Sequence, residues 1–110
     1  MPNQELSHVF RALTDPTRRA VLERLTRGPA AVTELARPFN MALPSFVQHL
    51  GVLEDCGLVS SEKRGRVRTY ALAPQSLKAA ENWLSAQRLQ WERRLDALDD
   101  FLKTLKEQQR

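Results

Sequence analysis

The sequence predicts a mostly α chain with one small β-hairpin, in the order α-α-α-α-β-β-α. Three observations carry this. Before residue 57 apolar residues recur at helical spacing in four short runs. Residues 58–72 then switch to two strand-like runs around Arg64-Gly65-Arg66. From Pro74 to about Lys106 no further Gly or Pro interrupts a last, long helix. The 110 residues, 42% hydrophobic and 27% charged, suit one small domain over 1–110 and are too few for two cores.

The first helix runs from Gln4 to Leu13, with Leu6, Val9, Phe10 and Leu13 on one face. Asp15-Pro16 reads as an N-cap followed by proline at the first helical position. Ala20, Val21, Leu22 and Leu25 give the second stripe, which Gly28-Pro29 stops. Thr33 is expected to cap a third helix to about Phe39, with Leu35, Ala36 and Phe39 inward. A fourth helix starts near Pro44, carries Phe46, Leu50 and Leu53 inward, and ends at Cys56-Gly57, where glycine supplies the left-handed residue.

Helices three and four, joined by Asn40-Met41-Ala42, form a helix–turn–helix over 33–56, a unit whose second helix enters a DNA major groove. Ser45 and Gln48 face away from Phe46, Leu50 and Leu53, and residues 38–53 contain no Asp or Glu to repel phosphate. Gln can read adenine in a bidentate manner and Ser can bond either base type. Thr33 is expected to leave backbone N–H groups free for a phosphate. The same short helix pair also occurs as plain core packing. Charge sharpens the choice. The formal net charge of +4 is divided as zero over 1–59, +3 over 60–73 and +1 over 74–110. The excess therefore sits on the hairpin of 58–72, where Lys63, Arg64, Arg66 and Arg68 flank the glycine and can lie beside or in a minor groove. Such a hairpin alone is often a solvated surface. Directly after a helix–turn–helix it reads as a DNA-binding wing.

The runs "DPTRRAVLERL", "VTELA", "LPSFVQHLGVLEDCGLV" and "KRGRVRTYAL" resemble the ArsR/SmtB-type winged helix-turn-helix repressors over roughly residues 5 to 74. The resemblance implies a bacterial or archaeal homodimer that binds double-stranded operator DNA, an inverted repeat, and represses its own operon and neighbouring genes. It places Pro44, Ser45, Val47 and Gln48 at base-facing positions, His49 at the family's recurrent histidine, and Arg64, Arg66 and Arg68 on the wing. Val47 stands where many members carry Ser, which exchanges a polar contact for one to a thymine methyl. His49 either bonds a phosphate or satisfies a local partner.

The metal-binding clusters of many such repressors are not evident. Helix three has no Cys, the last helix has neither His nor Cys, and Cys56, His8 and His49 lie apart, so no metal and no cofactor are expected and the chain reads as a metal-independent member. Cys56 closes a helix beside Glu54 and Asp55, a setting that suits a small apolar residue better than a redox switch. One cysteine, no signal-like N-terminus and no long apolar run point to a cytoplasmic protein that does not enter a membrane. Phosphate-binding loops and nucleophile motifs are missing, so catalysis is not expected. No effector is named by the residues.

Along the last helix, 75–106, Leu77, Leu84, Trp91, Leu98 and Leu105 recur every seven residues, with Leu95 and Leu102 as a second row. At ~1.5 Å per residue it spans on the order of 48 Å, whereas the preceding body has a radius of gyration of only about 11 Å. One chain cannot cover that stripe. Leu84, Trp91, Leu95, Leu98 and Leu102, with Leu6 and Phe10 of the first helix, are expected to form a two-fold dimer interface. Two readings follow: a dimeric DNA-binding repressor, or a winged-helix module that binds a protein through its long helix. A redox-responsive repressor using Cys56 is a variant of the first.

Overall fold

The computed structural model describes residues 2–109, with side chains from 4 to 109. The elements are α1 (Pro2–Leu13), α2 (Pro16–Leu25), β1 (Ala30–Ala31), α3 (Val32–Ala36), α4 (Leu43–Asp55), β2 (Val59–Arg64), β3 (Val67–Leu72) and α5 (Pro74–Gln108). This is a mostly helical winged helix-turn-helix fold with a β-hairpin wing and a long C-terminal helix. The chain divides into two compact units, Met1–Ala80 and Glu81–Arg110.

The first unit is built on the predicted helical stripes. Val9 and Ala12 of α1, Val21 and Leu25 of α2, Leu35 of α3, and Phe46, Leu50 and Leu53 of α4 are buried in one cluster with Leu58, Val59 and Tyr70 of the sheet region. Removing side chains of this size from water stabilises the fold by about 1.5–3 kcal/mol each. Phe39 and Phe46 pack at a centroid distance of 5.3 Å, which ties the end of the turn to the start of α4. Leu6, Phe10 and Leu13 lie partly buried against the same core.

Helix ends follow the local chemistry. Asp15 caps α2 by accepting the backbone N–H of Arg18 at 3.0 Å, with Pro16 at the first helical position. α4 ends in a paired closure: Gly57 N–H donates to Glu54 C=O and Leu58 N–H to Leu53 C=O, each at 3.0 Å. That Schellman closure needs a residue in the left-handed region, and Gly57 has φ +83°. A Cβ at Gly57 would also collide with the Ser76 side chain at the start of α5.

Three expectations are corrected. The sheet has three strands, ordered β1-β3-β2 and antiparallel throughout, where the sequence suggested a two-stranded hairpin. β1 is only Ala30-Ala31, paired with Tyr70 and Thr69, so β3 lies between two neighbours. α3 then starts directly from that strand. Its N-cap is Ala31, without a side-chain hydrogen bond, and Thr33 falls inside the first turn, so the Thr33 cap does not form. Sheet pairing has fixed where the helix begins. α3 also stops at Ala36 rather than near Phe39, because Pro38 lacks the N–H that another helical turn requires.

The second unit is helical over the part of α5 beyond Ala80, and its apolar side chains stand largely in solvent. Trp91 is 70% and Leu95 61% exposed, and Leu84, Leu98 and Leu102 are each about half exposed. Leu89 and Phe101, which the seven-residue stripe omits, are exposed to the same degree. Arg88 and Glu92 pair along the helix at 3.8 Å, an exposed contact of little energetic weight. Among the described residues, no helix is long and apolar enough to cross a membrane.

Candidate nucleic-acid interface

α4 has two faces with opposite character. Phe46, Leu50 and Leu53 are fully buried, while Pro44, Ser45, Val47 and Gln48 are exposed on the other side. The buried side fixes the helix in the core and leaves Ser45 and Gln48 with hydroxyl and amide groups facing outward. Val47 is 42% exposed, an apolar group within a polar row. Thr33, in the first turn of α3, is exposed as well.

His49 is held differently. Its Nδ1 accepts from the Arg18 guanidinium at 3.2 Å and lies 3.7 Å from Asp15 Oδ2. Arg18 also donates from Nε to Ala12 C=O at 2.8 Å and from Nη2 to Arg11 C=O at 3.3 Å. Those carbonyls belong to the last turn of α1; the Arg11 carbonyl also accepts the Thr14 N–H at 3.2 Å and the Thr14 hydroxyl at 2.6 Å, so Arg18 completes a closure that Thr14 begins. Of the two roles the sequence left open for His49, the structure displays the local partner. Burial works to raise the Asp15 pKa, but the Arg18 backbone N–H and the Arg18 charge, with the Thr17 backbone N–H, outweigh it and hold the carboxyl below its ordinary range.

The wing is a tight hairpin. Arg64 pairs with Val67, leaving Gly65 and Arg66 as the two loop residues, and only Gly65 has positive φ, at +62°. That is the pattern of a type II′ turn. All four wing cations are exposed, but strand alternation divides them. Lys63 and Arg68 are direct cross-strand partners on one face. Arg64 is on the other face, where its Nε donates to Glu62 at 3.3 Å, and Arg66 is in the turn. Arg68 is braced: its Nη1 donates to Ser61 Oγ at 2.8 Å, and Ser61 Oγ donates to Glu54 Oε1 of α4 at 2.6 Å. A chain of side chains thus joins the wing to the exposed helix. Beside it, burial and the Glu54 carboxylate push the Tyr70 phenol above its ordinary pKa.

Cys56 donates to Leu53 C=O at 3.4 Å and packs against the core, and burial pushes its thiol pKa up. Among the described residues, no three His, Cys, Asp or Glu side chains gather in a cluster able to hold a metal ion.

Comparison with known proteins places this geometry. A family model described as "Helix-turn-helix domain" matches residues 13–62, from the end of α1 into β2. The transcriptional repressor SdpR of Bacillus subtilis is 33% identical over 79 residues, covering 72% of this chain and 88% of the relative. The crystal structure of the ArsR family transcriptional regulator RHA00566 is 54% identical, covers 82% of this chain and 93% of that one, and superposes with a TM-score of 0.79. The chain belongs to the ArsR family. That family consists of DNA-binding transcriptional regulators and not of enzymes. The homodimeric winged helix-turn-helix DNA-binding domain of Mb0332 from Mycobacterium bovis, described as a possible ArsR-family transcriptional regulator, is 26% identical, covers 82% of each chain and gives a TM-score of 0.62.

Within this ArsR-family chain, sequence reading missed three participants. Arg18 stood inside an Arg-Arg pair that reads as surface charge, and only its position shortly after the end of α1 hinted otherwise. Glu54 and Ser61 carried no motif. Their pairing arises because Ser61 is opposite Tyr70 on the ladder and the C-terminal end of α4 lies over that position.

Proposed function

We propose that this ArsR-family regulator is a cytoplasmic homodimeric repressor that reads an inverted-repeat operator, controlling its own operon or neighbouring genes. α4 lies in the major groove and the wing reaches the minor groove and its phosphates. The observation that carries the proposal is the outward row Pro44, Ser45, Val47 and Gln48, free of acidic groups and backed by the fully buried Phe46, Leu50 and Leu53. The Gln48 amide offers a donor and an acceptor to adenine, Ser45 a hydroxyl, and Val47 an apolar surface for a thymine methyl. Thr33 adds a hydroxyl toward a phosphate.

The wing supports the same reading. Like charges opposite each other on a ladder destabilise a hairpin. Lys63 opposite Arg68 therefore suits an anionic partner better than it suits the free protein. The homodimeric Mb0332 domain and the repressor SdpR supply analogies for assembly and for the direction of control. In the dimer, Leu84, Trp91, Leu95, Leu98 and Leu102 of α5, with Leu6 and Phe10 of α1, face the second copy. Its symmetry sets the two copies of α4 about one DNA turn (~34 Å) apart. No metal ligand set is assigned to a single protomer.

Selection of bound duplexes from a randomised library, at fixed near-physiological salt, tests this. The expected result is enrichment of an inverted repeat with half-sites about 10 base pairs apart, centre to centre. Recovery of unenriched DNA, or of none, would overturn it in favour of a protein-binding module.

A further inference from the structure

We infer that Arg18 is the positioning residue of the DNA-facing helix, an inference that rests on the reading of α4 as the base-contacting element. One guanidinium fastens three helices. It grows from α2, closes the Ala12 and Arg11 carbonyls at the end of α1 at 2.8 and 3.3 Å, and donates to His49 Nδ1 on α4 at 3.2 Å. Each bond uses a different nitrogen. A planar fork with donors pointing three ways is required, and a lysine ammonium on a flexible stem cannot reproduce it.

The surroundings favour a fixed geometry. The last turn of a helix carries unsatisfied carbonyls and partial negative charge, so the cation is held there by both hydrogen bonds and the helix dipole. Asp15 secures the other end of the arrangement, accepting the Arg18 backbone N–H at 3.0 Å while standing 3.7 Å from the same imidazole nitrogen. Arg18 and His49 are both partly buried, which protects their bond from screening.

His49 directly follows Gln48, so holding the imidazole adds a polar tether to the packing of Phe46, Leu50 and Leu53 that sets the rotation of α4 about its axis. Rotation decides whether Ser45 and Gln48 meet base edges or the backbone. The other end of the bridge is α1, the helix that carries Leu6 and Phe10. A shift of α1 is thereby transmitted to the DNA-facing row through one side chain, and His49 acts from within the protein and not on a phosphate.

The full chain, its Arg18→Lys and His49→Phe variants and the double variant are compared on the selected operator and on an unrelated duplex at one salt concentration. Arg18→Lys retains the charge. It is expected to weaken operator binding about tenfold, as loss of a charge-assisted hydrogen bond implies, while unrelated DNA binds within about twofold of the parent. His49→Phe should lose operator affinity in the same direction and by no more than Arg18→Lys, and the double variant no more than Arg18→Lys alone, because the bond that His49 loses is one of the three that Arg18→Lys breaks. Amide NMR spectra without DNA give a second readout, in which Arg18→Lys should shift the amides of Ser45 to His49 and leave those beyond Ala80 in place. Operator affinity equal to the parent, equal losses on both duplexes, additive losses, or unmoved α4 amides would each overturn the inference. Should the parent itself prefer no sequence, base reading by α4 fails, and the spectra still decide the role of Arg18.

Discussion

Arg18 and Arg19 close the last turn of α1, with Arg19 donating to Leu13 C=O at 2.6 Å, so two of the six arginines that precede the wing have work inside the protein. Cys56 shows the opposite case, a reactive group made quiet. Its thiol is held protonated mainly by burial, with the Asp55 charge a smaller contribution in the same direction. A raised folded pKa means that the proton favours the native state. The associated stability is complete below the ordinary thiol pKa and is lost as pH rises through the folded value. At about pH 9, near the ordinary thiol range, iodoacetamide should alkylate the native protein several-fold more slowly than the urea-unfolded chain. Equal rates would show an accessible thiolate and revive a redox role.

Among the elements, the wing and α4 differ in how far their sequences disclose them. The α4 core row is periodic, and Phe46, Leu50 and Leu53 are buried as their spacing predicts. Gly57 announces the end of that helix because few other residues enter the left-handed region. β1 gives no such signal. Two alanines have neither alternation nor strand propensity, and the pairing with Thr69 and Tyr70 that makes them a strand is a property of the distant partner. The same pairing moved the start of α3 ahead of Thr33, against the local capping preference. The four wing cations were legible as residues, yet their division between two faces follows from the register. We expect Arg64→Ala with Arg66→Ala to weaken binding to all DNA sequences and to reduce the slope of log affinity against log salt by up to ~2, measured by fluorescence anisotropy. An unchanged slope would remove the tip from the interface.

For the whole molecule, the question is what covers α5. Its side chains are too apolar and too exposed for a helix meant to face water along its whole length, since exposed apolar surface of this extent marks an interaction site. The sequence indicated the stripe through its seven-residue recurrence, but placed neither Leu89 nor Phe101 on it. A strict repeat follows one seam, whereas these two residues widen the apolar surface beyond it. Trp91→Glu with Leu98→Glu should yield monomers by sedimentation equilibrium, with operator binding reduced as two half-sites become one. A dimer that survives both changes would move the interface elsewhere.

The Lys63–Arg68 pairing on the wing gives dissolved salt two opposed effects on this protein. Screening relieves the repulsion between the two strands, so the unliganded hairpin should be firmest in concentrated salt. Association with a polyanion runs the other way, because counterions released from DNA return as salt rises. With the wing on DNA as proposed, dilute solution should loosen the free hairpin while strengthening its hold on DNA.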